Sequence, residues 1–172
     1  YLLIISTSAG LWAYNIGDTI KFTSIEPYKI IVTGRIKHFL SAFGEHVISE
    51  EVEKAMKVAT TNHSVTIREF TVAPNINPKQ GLPRHEWYVE FETIPDDIMG
   101  FSATLEKEMI SQNIYYKDLI LGNIIQPLDI VSVSKGGFNT YMKSVGRLGG
   151  QNKVPRLSND RKIADILNNF NV

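Results

Sequence analysis

The run Glu86-Trp87-Tyr88-Val89-Glu90-Phe91-Glu92 alternates a large apolar side chain with a polar or polar-tipped one at every step. Successive side chains of a strand point to opposite faces, so Trp87, Val89 and Phe91 share one face and Glu86, Tyr88, Glu90 and Glu92 the other. Such a strand cannot stand alone: its aromatic face needs a covering layer. The pattern predicts an α+β architecture, a mixed or antiparallel sheet covered by helices on one face. A partner strand is expected at Val65–Ala73, separated from the first by the proline- and glycine-bearing loop Pro74–Pro83.

The covering helices can be read from spacing. Val52, Ala55, Met56 and Ala59 recur at i, i+3, i+4 and i+7, with Ser49 as the expected N-cap and Glu50, Glu51 and Glu53 in the first turn. A second helix follows Pro95-Asp96-Asp97 and carries Ile98, Phe101, Leu105 and Met109 on one side. Leu128–Val133 reads as a further strand. Gly136-Gly137 leads into a short helix with Phe138, Tyr141, Met142 and Val145 in register, and a last helix, capped by Ser158 or Asn159, carries Ile163, Ile166, Leu167 and Phe170.

Upstream the chain is strand-rich. Leu2–Ser6 and Leu11–Tyr14 are short apolar segments, and Thr19–Thr23 and Lys29–Thr33 flank a turn at Glu26-Pro27-Tyr28. The apolar opening Tyr1-Leu2-Leu3-Ile4-Ile5 reads as a strand already under way. Residues 1–36 are therefore expected to be the C-terminal remnant of a larger domain, and 37–172 a small domain of their own. Exposed apolar surface in residues 1–13 would then favour a dimer of the fragment.

Composition removes several function classes. The chain has no cysteine, which excludes disulfides, thiolate catalysis and cysteine-ligated zinc. Its four histidines, at positions 38, 46, 63 and 85, show no ligand spacing, so no metal site made of side chains alone is expected. No apolar run approaches the ~20 residues that span a bilayer, so no membrane partner and a cytoplasmic location are expected. Net charge is zero, but residues 1–134 carry 16 acidic against 11 basic side chains and residues 135–172 carry 2 against 7. An acidic body with a basic tail fits a local anion site better than a nucleic-acid track.

Four segments carry candidate chemistry. In Tyr14-Asn15-Ile16-Gly17-Asp18, an aspartate after a glycine can accept from a diol such as a ribose, or cap the turn. Gly34-Arg35 with Lys37 places two cations at a strand end, where Arg35 can clamp a phosphate. Phe43-Gly44-Glu45-His46 is a loop before the acidic helix. Gly149-Gly150-Gln151-Asn152-Lys153-Val154-Pro155-Arg156 suits a swinging loop that delivers a cation to developing negative charge. The alternative reading of Lys153 is a surface lysine supporting the Pro155-Arg156 turn.

At these same segments the chain resembles the adenylate-forming enzymes, and specifically the auxin-responsive acyl-acid amido synthetases and their bacterial relatives. Tyr14 to Asp18 is similar to the superfamily's Y-x-x-G-D motif, and Gly34-Arg35 to its G-R motif. Lys37 falls at its hinge. Gly44-Glu45-His46-Val47 with Glu51-Val52-Glu53 resembles G-x-R-I…E-x-E, His46 standing where most members carry Arg and the plant enzymes Lys. Gln126-Pro127-Leu128-Asp129-Ile130, Gly137-Phe138 and Asn152-Lys153-Val154-Pro155-Arg156 resemble the plant enzymes' G-P-L-E-I, G-T-F and Y-K-T-P-R.

The resemblance implies the small C-terminal domain of an ATP-dependent ligase, inactive as a fragment and completed by a missing N-terminal domain. Its parent would activate a carboxylic acid as an acyl-adenylate and pass the acyl group to an amine, plausibly an amino acid, using ATP with Mg2+ held on its phosphates. Asp18 and Tyr14 would meet the ribose, Arg35 and His46 the phosphates, Lys153 the reacting centre, and Lys37 would serve as hinge. Two alternatives remain open at this level: thioester formation with coenzyme A, and a non-catalytic nucleotide- or partner-binding domain.

Overall fold

A computed structural model describes residues 1–35, 39–149 and 152–171, with the side chain of Arg35 outside the description. The first unit is an antiparallel meander of β1 (Leu2–Ile5), β2 (Tyr14–Ile25) and β3 (Tyr28–Arg35). The two expected short strands around the Pro27 turn are thus the middles of longer ones. A bulge interrupts their ladder: Thr19 faces Gly34 but Ile20 faces Val32, leaving Thr33 as the extra residue. Gly34 sits at φ +155°, and the Thr19 and Thr33 hydroxyls lie 3.1 Å apart across the bulge. Such a bulge re-aims the residues beyond it. Here those are Asp18 and Arg35, paired across the ladder.

The second unit is built on one hairpin. β6 (Ile67–Asn75) and β7 (Arg84–Phe91) are antiparallel, and β8 (Asp129–Ser132) joins β7 in parallel. Before them, β4 (Phe39–Leu40) and β5 (Val47–Ile48) form a two-residue clip that closes the 41–46 loop. Helix α1 (Ser49–Asn62) follows directly, and Ser49 is its first residue rather than its cap. The cap work is done by Glu51, whose Oε2 accepts from the Ile48 N–H at 3.0 Å. Helix α2 (Ile98–Gln112) starts where expected, Asp97 accepting from the Gly100 N–H at 2.8 Å.

The expected apolar stripes meet. Val52, Ala55, Met56 and Ala59 of α1 and Phe101, Leu105 and Met109 of α2 pack on Phe70, Val72, Trp87, Val89 and Phe91. A helix absent from the sequence reading, α3 (Ile114–Leu121), completes this layer with the fully buried Tyr116. Phe70 and Trp87 stack at 5.8 Å across adjacent strands.

The expectation of a sheet covered on one face is corrected by the other side. Helices α4 (Gly137–Ser144) and α5 (Lys162–Leu167), the latter followed by a short 3₁₀ turn at Asn168–Phe170, cover the face that carries Glu86, Tyr88 and Glu90. Tyr88 is fully buried, and Glu86 and Glu90 retain only 6% and 3% exposure. The layer tolerates these acids because each is answered. Glu86 accepts from Asn75 at 2.6 Å, Tyr88 at 3.0 Å and Arg161 at 2.9 Å. Glu90 accepts from the Gly136 and Phe138 N–H groups at 2.8 and 3.3 Å, a carboxylate set on the positive end of α4.

The last helix also begins differently from the sequence expectation. Arg161, not Ser158 or Asn159, precedes α5, and Asp160 accepts from both the Ser158 hydroxyl and the Lys162 N–H at 3.1 Å. Asn159 instead reaches back across the molecule. Its Oδ1 accepts from Ser41 N–H at 2.8 Å and its Nδ2 donates to the Phe39 carbonyl at 2.6 Å.

Candidate functional site

The ladder between β2 and β3 brings Asp18 and Arg35 together. Gly17, at φ +83°, takes a backbone conformation that side-chain-bearing residues avoid, and its N–H is held by Asn15 Oδ1 at 2.8 Å. The chain therefore turns just before Asp18 and bulges just after it, which fixes a half-buried carboxylate against the Arg35 position. Tyr14 opens the same strand and is 50% exposed. The backbone ladder thus sets an acidic and a basic residue opposite one another, residue types that a ligand bearing hydroxyls and phosphates calls for. Lys37 lies outside the described residues.

His46 owes its position to the residue before it. Gly44 and His46 both have positive φ, +94° and +47°, and the Glu45 between them is fully buried. Glu45 Oε1 meets His85 Nε2 at 2.9 Å, Oε2 accepts from the Phe43 N–H at 2.8 Å, and its carbonyl accepts from Asn113 Nδ2 at 3.0 Å. Burial pushes the Glu45 carboxyl up, but the hydrogen bond and charge of His85, with the local N–H groups, bring it below the ordinary value. With Glu45 anchored inward, His46 is turned outward, stacked on Phe39 at 4.8 Å between centroids. Sequence reasoning did not single out Glu45 or His85. A charged residue beside a loop glycine was the available signal, but its partner lies 40 residues away.

Lys153 is exposed, and among the described residues it makes no hydrogen bond or ion pair. It lies at the rim of a cavity of about 230 Å³ lined also by Arg68, Glu90, Phe138 and Asn139. The residues after it are held firmly. Val154 is buried, the Pro155 carbonyl accepts from Thr71 Oγ1 at 2.7 Å, and Arg156 and Ser158 bond in register to Val72. The 156–158 stretch thus adds a short parallel rung to the free edge of β6. Lys153 sits toward the start of β6, beside Arg68, whereas Phe39, under His46, is tied to Asn159 toward the end of the same run. The two are not brought into one cluster.

A separate cavity of about 670 Å³ between α2 and β8 is lined by Ile98, Met99, Ala103, Glu106 and Ile130 and holds none of the sequence-predicted site residues. Among the described residues no group of three His, Asp or Glu side chains is arranged to hold a metal. Among the described residues no helix is long and apolar enough to cross a membrane.

Comparison with known proteins identifies the family. Residues 50–162 match the GH3 family C-terminal domain, and residues 1–35 match the GH3 family central domain. Over 185 aligned residues the chain is 25% identical to the indole-3-acetic acid-amido synthetase GH3.10 of Arabidopsis thaliana, covering all of this chain and 30% of that protein. It is 26% identical to GH3.4 of the same plant over 91% of this chain and 28% of that one. Two solved structures share the fold across the whole chain. One is the GH3.15 acyl acid amido synthetase, with TM-score 0.79, 21% identity and 34% of that chain covered. The other is the same enzyme in complex with 2,4-DB, with TM-score 0.75, 21% identity and 32% covered. The chain spans about a third of the length of the relatives it matches. With the C-terminal-domain match alone running over well more than half of its residues, this chain belongs to the GH3 family.

Proposed function

We propose that the chain is the C-terminal part of an ATP-dependent ligase that joins a carboxylic acid to the amine of an amino acid through an acyl-adenylate. Residues 1–36 close the large domain and 37–172 form the small one, with Lys37 as the hinge between them. Family membership and the names of the relatives support the class of reaction. The observation that carries the mechanism is the mounting of Lys153, an exposed ammonium with no partner among the described residues, two positions before a segment locked to β6.

In the first step a carboxylate oxygen of the acid attacks the α-phosphorus of ATP, the bond to the β-phosphate oxygen breaks, and pyrophosphate leaves. Negative charge concentrates on the α-phosphate oxygens and the attacking carboxylate, and Lys153 stabilises it there. Asp18 accepts hydrogen bonds from the ribose hydroxyls, with Tyr14 beside it and Arg35 toward the phosphates. His46, on its outward-turned loop, faces the phosphate side. Mg2+ would be held on the phosphates and would supply charge neutralisation there; among the described residues no group of three acidic or histidine side chains is arranged to hold it. In the second step the amine nitrogen attacks the acyl carbon, loses a proton, and AMP departs. Movement of the small domain about Lys37 withdraws Lys153 and opens the path for the amine.

The test separates the two steps. In the full-length protein, Lys153→Ala should lower ATP–pyrophosphate exchange by on the order of 10²–10³ and leave transfer from supplied acyl-adenylate unchanged. Equal loss in both half-reactions, or in neither, rejects the role.

A further inference from the structure

We propose that Arg156 is a positioning residue that aims Lys153, through a clamp formed with Glu53, Glu69, Phe70 and Thr71. The inference rests on the reading of Lys153 just given and adds the device that holds it. Among the described residues, no backbone–backbone hydrogen bond involves residues 152–155, and Pro155 has no N–H to give. The direction in which the chain leaves β6 toward Lys153 is therefore set by side chains.

Arg156 supplies most of that control. Its Nε meets Glu53 Oε1 of α1 at 3.2 Å, and its Nη1 is paired with Glu69 of β6 and donates to the Phe70 carbonyl at 3.1 Å. The guanidinium carbon lies 4.6 Å from the centre of the Phe70 ring, so the same group is also stacked. One residue earlier, Thr71 Oγ1 holds the Pro155 carbonyl at 2.7 Å. A planar guanidinium gripped by a helix carboxylate, a strand carboxylate, a carbonyl and a ring has a single orientation, and the residue carrying it cannot roll. Val154, buried in the second apolar cluster, blocks translation inward. Lys153 is left as the first free side chain beyond a rigid base.

The clamp differs from a general stabiliser in what it should change. A structural role weakens both half-reactions together, in proportion to lost folded protein. A positioning role weakens only the step in which Lys153 is used. In the full-length protein, Arg156→Gln should lower ATP–pyrophosphate exchange by on the order of 10- to 100-fold, the size expected for misplacing a catalytic group by about an ångström. Transfer from supplied acyl-adenylate should stay unchanged. Arg156→Lys should recover little, because an ammonium cannot serve two carboxylates and a carbonyl in one plane. Thr71→Val, which removes one hydrogen bond and keeps the side-chain shape, should cause a smaller loss in the same half-reaction even if the Arg156 variants fold poorly. Adding Arg156→Gln to Lys153→Ala should cost nothing further in exchange. Equal losses in both half-reactions, or additive losses in the double variant, would overturn the clamp. If Lys153→Ala impairs exchange and neither the Arg156 nor the Thr71 variants do, the clamp alone is wrong. If Lys153→Ala leaves exchange intact, the role of Lys153 and the positioning built on it fall together.

Discussion

Replacing Arg161 with methionine should expose how the polar layer under α4 and α5 is held. Arg161 Nη2 donates to Glu86 Oε2 at 2.9 Å and the Tyr88 hydroxyl at 3.1 Å, while Nη1 donates to the Pro74 carbonyl at 2.9 Å. Methionine keeps the length of the stem but removes every donor, leaving a carboxylate in a 6% exposed position with Asn75, Tyr88 and, at 3.6 Å, the Arg84 guanidinium. Removing one partner of a fully buried pair costs roughly 3–5 kcal/mol. The Arg161 side chain is 27% exposed, so water can enter its place, and Arg84 stays beside Glu86; both reduce that penalty. About 2–3 kcal/mol is expected, equivalent to a melting temperature lower by roughly 4–12 °C for a chain of this size. The pH dependence supplies a second check. Burial works to raise the Glu86 carboxyl, but Asn75, Arg161 and Tyr88 together hold it below the ordinary range. A carboxyl lowered on folding contributes stability above its unfolded value, ~4.3, and loses that contribution as pH falls through the folded value. The gap between the wild type and Arg161→Met should thus be full at pH 7 and shrink below about pH 4. Thermal melts by circular dichroism from pH 3.5 to 7 measure both. A deficit below about 1 kcal/mol, or one that does not change with pH, would refute the reasoning.

Gly137→Ala should destabilise by about 1–3 kcal/mol, since a Cβ there would lie 2.4 Å from Val133 Cγ1; Val133→Ala in the same chain should restore much of the loss, read by denaturant unfolding. Burial raises the Glu106 carboxyl above its ordinary value despite bonds from the Leu128 N–H and Tyr116 hydroxyl. Its contribution is therefore complete below the unfolded value and lost as pH rises through the folded one, so Glu106→Gln should flatten that part of the stability–pH curve. Asp18→Asn in the full-length protein should weaken ATP binding ~10–100-fold by calorimetry, from the loss of roughly 1.5–3 kcal/mol in charged hydrogen bonding; unchanged affinity would leave Asp18 as a turn residue.

The alternation in β7 revealed a strand and its aromatic face, and the helix spacings of α1 and α2 were equally plain. What the same alternation could not disclose was the fate of Glu86 and Glu90. Acids facing solvent and acids facing an internal partner read identically, and Arg161 lies 75 residues from Glu86. Helix α3 escaped because Ile114-Tyr115-Tyr116 and Leu119-Ile120-Leu121 are apolar on nearly every side, which erases the 3.6-residue signal. Only Asn113, whose Oδ1 accepts from the Tyr116 N–H at 2.9 Å, marked its start. Asn159 looked like a helix cap and is instead the tie to Phe39 and Ser41. At the candidate site, Asp18, Arg35, His46 and Lys153 were visible as motif positions. Their supports were not, because Glu45–His85 and Arg156–Glu53 are contacts made only by the folded chain.

The order in which the central sheet is assembled has a kinetic consequence. The β6–β7 hairpin closes across a short loop, but its two outer neighbours come from far along the chain, β8 after α2 and α3, and the 156–158 rung after α4. Closing longer loops costs more chain entropy before any contact repays it. The hairpin with α1 is therefore expected to form the folding nucleus, with the seam beside Val72 zipping last. Substitutions at Phe70 or Trp87 should slow folding, whereas those at Leu157 or Arg156 should chiefly hasten unfolding. On this order the Lys153 segment would be the last to be fastened to the sheet and the first to be released.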